Sequence, residues 1–224
     1  MDFTFTLPED FLTKSPKTDL KLPEGFSEIL LHSCCAPCST AVLECLLQNN
    51  IKTTVLFYNP NIQPYDEYET RRDEWQRLCD LLNVPTIVGD YEIKEWLNCI
   101  KGFEDSPERG ARCYQCFTHR LKVTAQYAKK LNINLFTTTL ATSRWKNKKQ
   151  VDLAGFAGED FVPGTKYWDI DWRKGGLVTR RYAIVKEIGF YNQTYCGCAF
   201  SLKERIKQEK LKEEREKSIL PSNN

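Results

Sequence analysis

Three thiols stand within five residues in Cys34-Cys35-Ala36-Pro37-Cys38, and two further pairs follow as Cys113-x-x-Cys116 and Cys196-Gly197-Cys198. Clusters of this kind suit metal ligation or thiol redox exchange, because the thiolate is both the ligand and the nucleophile. Cys113 and Cys116 share a face if their segment is helical, and a helix N-terminus favours the thiolate that metals require. Cys34, Cys35, Cys113 and Cys116 together satisfy the four-thiolate demand of either a zinc site or an iron–sulfur cluster. The vicinal pair leans toward the larger centre, since adjacent residues in extended backbone point to opposite sides and a cluster offers several corners. Cys196 and Cys198 could close a small, strained disulfide ring or complete a second metal site, which Cys38 could also serve. A metal-free thiol–disulfide system is the remaining alternative. Cys45, Cys79 and Cys99 stand singly in helical patterns and are assigned to packing.

The composition sets limits on where this chemistry takes place. The 224 residues, 41% of them hydrophobic and 28% charged, can build one α/β domain of ordinary size with a real core. No window approaches the run of about 18 apolar residues that a membrane span needs, and no apolar targeting core precedes Glu24, so no membrane association and a cytoplasmic location are expected. In that reducing compartment clustered cysteines indicate metal or redox work rather than a disulfide framework. The net charge of +2 gives no global attraction to nucleic acid. Local groups do, because Arg144-Trp145-Lys146 and Trp172-Arg173-Lys174 place bases beside an indole. Neither a G-x-x-x-x-G-K-[ST] loop nor a G-x-G-x-x-G fingerprint is present, which argues against a nucleotide-dependent kinase or dehydrogenase. Of the two histidines, His32 beside the thiols reads as a hydrogen-bonded core group.

The elements that must position these residues alternate in type. Glu28 to Leu31 reads as a buried strand feeding the first thiols, with a helix from Ser39 to about Gln48. Strands follow at Lys52–Tyr58, Pro85–Val88 and Leu135–Leu140, separated by helices at about Tyr65–Leu82, Tyr91–Lys101 and Cys113–Lys130. In the first of these helices Trp75, Leu78 and Leu82 form the apolar stripe, with Arg71 and Arg72 off it. Further helices are expected from near Lys148 and over Val178–Ile188, and Thr165–Gly176 reads as an aromatic, functional loop. The alternation predicts a parallel sheet wrapped on both faces, with ligands at its carboxyl edge. Residues 1–24, with Phe3, Phe5 and Phe11, read as an extended arm, 25–202 as the α/β domain and 203–224 as a solvated, charged helix.

Seven strings then coincide in order: His32-Ser33-Cys34-Cys35-Ala36-Pro37-Cys38-Ser39, Phe57-Tyr58-Asn59-Pro60-Asn61-Ile62, Arg109 to Phe117, Ser143 to Asn147, Tyr167-Trp168-Asp169, Trp172 to Gly176 and Tyr195 to Cys198. Over about Ile29 to Leu202 the chain closely resembles the cobalamin-independent epoxyqueuosine reductases. The resemblance implies a Rossmann-like, adenine-nucleotide-hydrolase-like sheet and a two-electron reduction of epoxyqueuosine to queuosine at the wobble position of tRNA, the last step of queuosine formation. It further implies a [4Fe-4S] cluster on Cys34, Cys35, Cys113 and Cys116, a redox-active pair at Cys196 and Cys198, and an additional iron beside the cluster. Some relatives carry Asp at the position of Cys38, and either residue can ligate iron. An external low-potential electron donor is expected, with Asp169, Asp171, Tyr167 and His32 as candidate proton sources. Arg144, Lys146, Arg173 and Lys174 would hold phosphates while Trp145, Trp168 and Trp172 stack a splayed base. The competing classes are a zinc-stabilised RNA-binding module and a metal-free thiol–disulfide oxidoreductase.

Overall fold

The computed structural model describes residues 19–219. Its central strand β1 (Glu28–Ser33) is buried at every residue after Glu28, the environment that an unalternating Ile29-Leu30-Leu31 run requires. β2 (Lys52–Phe57) pairs with it on one side and β4 (Leu135–Thr138) on the other. β3 (Thr86–Val88) extends the sheet beyond β2, and the two-residue β5 (Lys166–Tyr167) extends it beyond β4. All pairs are parallel, in the order β3-β2-β1-β4-β5. The winding therefore reverses between β1 and β4, where a crevice opens beyond the carboxyl ends of the strands.

Consecutive β1 residues feed opposite layers. Ile29 and Leu31 join Val55 and Phe57 against α1 (Ala36–Gln48), α2 (Tyr65–Leu81) and α6 (Leu177–Ile188). Leu30 joins Leu56 and Phe136 against Ala125 and Ala128 of α4 (Ala111–Lys130). α3 (Ile93–Cys99) and α5 (Lys148–Phe161) pack on α4, and α7 (Ala199–Ile219) ends the described chain. Beneath α6 the fully buried Glu44 of α1 accepts from Arg180 Nε at 2.8 Å, a charge-assisted tie between two helices far apart in sequence. Among the described residues no helix is long and apolar enough to cross a membrane.

Three expectations change. α1 begins at Ala36 rather than Ser39, because Pro37 is suited to the first turn, and Cys38 therefore sits on the helix. Residues 166–167, read as loop, form the edge strand β5, too short to show a period. Arg71 lies on the apolar stripe of α2, four residues before Trp75, and is only 2% exposed. Of the N-terminal arm, Leu20 and Leu22 pack on the core and Leu20 N donates to Asn49 Oδ1 at 3.0 Å, while Phe3, Phe5 and Phe11 lie outside the described residues. In α7, Ile206 and Leu211 are 44% and 46% exposed, as a solvated charged helix requires.

α5 can approach α4 closely because Gly158 faces it. A Cβ there would stand 2.8 Å from the Leu121 carbonyl oxygen, a backbone atom that cannot step aside alone. Gly158→Val is expected to lower unfolding free energy by about 1–3 kcal/mol through overpacking, read from urea titration.

Candidate metal centre

The chain leaves β1 through Ser33 and enters α1 across Cys34 and Cys35. Cys35 is extended (φ 179°), and Cys38 lies in the first turn of the helix. The three sulfurs nonetheless fall within 4.8 Å of one another, and all three residues are buried. Cys34 Sγ and Cys35 Sγ are 3.8 Å apart, so the vicinal pair converges on one point. The turn is held from the neighbouring strand: Cys34 N donates to Thr139 Oγ1 at 3.2 Å, and Thr139 N donates to His32 O at 3.0 Å. Ser39 Oγ donates to Cys35 O at 2.9 Å from within α1.

Cys116, near the start of α4, is buried in the same cluster as Cys34, Cys35 and Cys38, with Cys113, Cys198, Cys99 and Phe200 packed on its rim. Cys196 lines a narrow cavity together with Cys34 and Cys35. Six of the seven clustered cysteines thus belong to or border one buried cluster and Cys196 lines the cavity beside it, but only Cys34, Cys35 and Cys38 have their sulfurs at metal-binding distance from one another. Burial pushes the Cys113 thiol up to about 12 and raises Cys116 and Cys196. Cys34 goes the other way, well below the ordinary thiol value, because Cys35 and Cys38 both donate to its sulfur. Cys45 and Cys79 are buried in the packing cluster around α1 and α2, as expected of isolated thiols.

The Cys196-Gly197-Cys198 turn is clamped through its backbone. Arg71 Nη2 and Nη1 donate to the carbonyls of Tyr195 and Cys196 at 3.2 and 3.1 Å, and Gln63 N donates to Gly197 O at 2.9 Å. Glu67 Oε1 accepts from Arg71 Nε at 2.7 Å and so orients the guanidinium, which also lies over the Tyr195 ring. Gly197 has φ +135°, and a Cβ there would meet Arg71 Nη1 at 3.0 Å, so both conformation and space call for glycine.

His32 is closed off from proton chemistry. Its Nε2 donates to Tyr58 O at 3.1 Å, its Nδ1 lies 2.7 Å from Thr138 Oγ1, and burial lowers its pKa to about 3. His119 is engaged by Tyr58 Oη at 3.0 Å. Tyr167 is buried against Asp152, Asp171 pairs with Arg173, and Asp169 is exposed; none of the three lines the cavities at the thiols.

The basic-aromatic groups divide. Arg144, exposed, lies over the half-buried Trp145, and both border two cavities: one of about 130 Å³ reaching Cys38 and Gln193, another of about 60 Å³ reaching Cys196. Lys146 is buried and lines the narrow thiol cavity, so its ammonium faces sulfur instead of a surface phosphate. Trp172, 2% exposed, is a core residue and offers no stacking face; half-buried Trp168 packs on it edge-to-face at 5.7 Å. Arg173 and Lys174 are exposed beside this pair, on the loop before α6.

Sequence reasoning missed Arg71, Arg120, Trp96 and Gln193. Arg120 stands four residues after Cys116 on one face of α4, a legible spacing, whereas nothing local marks Gln193, whose Nε2 donates to Cys35 Sγ at 3.0 Å.

The family model for Epoxyqueuosine reductase QueH matches residues 29–204. An Epoxyqueuosine reductase QueH of Acinetobacter baylyi is 43% identical over 189 residues, covering 84% of this chain and 87% of that protein. One from Histophilus somni is 44% identical over 188 residues, covering 84% and 77%. One from Thermotoga maritima is 36% identical over 188 residues, covering 79% and 91%. This chain belongs to the epoxyqueuosine reductase QueH family.

The residues of this QueH family member fit a thiolate-held metal. Trp96 Nε1 and Arg120 Nε are buried with no partner at full hydrogen-bond geometry, and both side chains reach toward Cys116, where they favour the thiolate against burial. A neutral thiol is a weak acceptor, whereas a metal-bound thiolate is a strong one.

The clamp on the Cys196–Cys198 turn has a measurable weight. Arg71→Met removes the donors to the Tyr195 and Cys196 carbonyls and leaves Glu67 with the Tyr191 hydroxyl but without its cationic partner. Amide hydrogen exchange at residues 195–198 is expected to speed up about tenfold or more, with β1 and β2 unchanged.

Proposed function

We propose that this protein is an oxidoreductase that removes the epoxide oxygen of epoxyqueuosine at the wobble position of tRNA, leaving queuosine and water. The observation that carries the reading is the gathering of seven thiols in and beside one buried cluster of a QueH family member. In this reading Cys34, Cys35, Cys113 and Cys116 hold a [4Fe-4S] cluster. Cys38, grouped with the first two sulfurs, ligates one additional iron. Bound there, the centre would supply a Lewis acid for the departing oxygen and a relay for the electrons.

The remaining residues have separate tasks. Oxidation of the Cys196 and Cys198 thiols to a disulfide releases two electrons and two protons, the count that loss of the oxygen as water consumes. An external low-potential donor restores the dithiol. Arg71 and Gln63 hold the backbone while the two side chains change partners. Trp145 offers a π-face at the mouth of both larger cavities to a base taken out of the anticodon loop. Arg144 and Arg181, which border the cavity over Cys38, hold the flanking phosphates, with Arg173 and Lys174 extending the basic surface. Tight burial gives Lys146 and Trp172 other roles.

Nucleoside analysis of tRNA from cells lacking the protein tests the activity: epoxyqueuosine should accumulate and queuosine vanish, and unchanged queuosine would overturn the reading. Anaerobically purified protein is expected to be brown with iron and sulfide in near-equal amounts; a colourless protein with stoichiometric zinc would refute the cofactor. Cys113→Ala should lose the iron, whereas Cys198→Ala should keep it and lose turnover by at least about a hundredfold. Normal turnover of Cys198→Ala would remove the redox pair from the mechanism.

A further inference from the structure

Five cationic side chains are buried among the described residues: Arg71, Arg112, Arg120, Lys146 and Arg180. Three are accounted for by the protein itself. Arg180 pairs with Glu44, Arg71 pairs with Glu67, and Arg112 Nη1 donates to the carbonyls of Glu104 and Ser106 at 2.6 and 2.5 Å. Among the described residues Arg120 and Lys146 have no carboxylate within ion-pair distance; Glu108, which borders the cavity at Cys196, acts on Lys146 from farther off. Arg120 is 2% exposed, bonds Asn59 Oδ1 through Nη2 and leaves Nε without a partner. Lys146 is 6% exposed, and among the described residues its ammonium makes no hydrogen bond or ion pair.

An isolated buried ammonium costs several kcal/mol, and a second cation nearby adds repulsion. What both face is sulfur: they line one narrow cavity with Cys34, Cys35 and Cys196. The other charged group lining that cavity is Arg71, already paired, and the rest are Asn59, Asn61, Ile62 and Gln193. Lys146 is drawn to the thiolate forms of Cys196, Cys34 and Cys38, and Arg120 to that of Cys116, so the two cations embrace the thiols from different elements. Neutral thiols cannot offset two fixed charges.

We propose that Lys146 and Arg120 are the built-in countercharge of the metal centre, matched to an anion of charge near −2 and setting the potential at which it accepts an electron. The inference rests on the thiolate-held centre proposed above. Four thiolates around a [4Fe-4S] core of charge 2+ sum to −2 for the cluster alone, opposite in sign to both cations. One-electron reduction takes the centre to −3, and a fixed positive charge stabilises that state more than the oxidised one. Lys146 is thus a positioning residue acting through charge.

The test is a potentiometric titration of anaerobically reconstituted full-length protein followed by electron paramagnetic resonance. Lys146→Met should shift the midpoint to more negative potential, and Lys146→Arg, which keeps the charge, should stay near wild type. If Lys146→Met does not retain the cluster, iron and sulfide content is the readout, with loss expected in the Met variant and retention in the Arg variant. An unshifted midpoint in Lys146→Met, or an Arg variant that behaves like Met, overturns the proposal. If wild-type protein holds zinc instead of iron, the cofactor reading fails separately. The countercharge is then read by chelator competition, where Lys146→Met should bind zinc at least about tenfold more weakly with Lys146→Arg unchanged, and equal binding by all three overturns it.

Discussion

Sulfur and positive charge are withdrawn from water together at the carboxyl edge of this sheet, and the local structure follows from that constraint. Cys34, Cys35, Cys38 and Cys116 are all buried, as are Arg120 and Lys146. Neither group is comfortable alone, since burial drives thiols toward neutrality and penalises unpaired cations. Brought together they become mutually supportive once the thiols carry charge. The helix α1, whose first turn holds Cys38, adds its positive N-terminal field in the same direction.

The fold prepares that location before any side chain is considered. Reversal of winding between β1 and β4 leaves a crevice in which the turn after β1 and the residue after β4 meet, and Thr139 ties them by hydrogen bonds to His32 O and Cys34 N. Related sheets place small glycine-rich phosphate loops at this point. Here Pro37 starts the helix early and the thiols fill the space, so a position suited to anions is given to sulfur.

Much of this was legible in order along the chain. The unbroken apolar run of β1, the punctuated strands and the i,i+3 spacing of Cys113 and Cys116 each reflect local geometry, which a sequence displays directly. Convergence of Cys34 and Cys35 was not visible, because it depends on hydrogen bonds from Thr139 and Ser39 that redirect the turn. The burial of Lys146 and Trp172 was hidden for a related reason: a base beside an indole looks the same whether it faces solvent or the interior. Arg71 was misjudged by charge alone, although its spacing from Trp75 put it on the inner stripe. Gln193 reaches Cys35 across 158 residues, and such a contact exists only in three dimensions.

The hydrogen bonds that Arg71 and Gln63 N donate to residues 195–197 all end on main-chain carbonyls. Arg71 and Gln63 therefore hold the path of the chain while making no hydrogen bond to the sulfur of Cys196 or Cys198. Those main-chain hydrogen bonds do not depend on what either sulfur is bonded to. The path of the turn is thereby fixed by partners that leave its two thiols free to serve as ligands or as a redox couple.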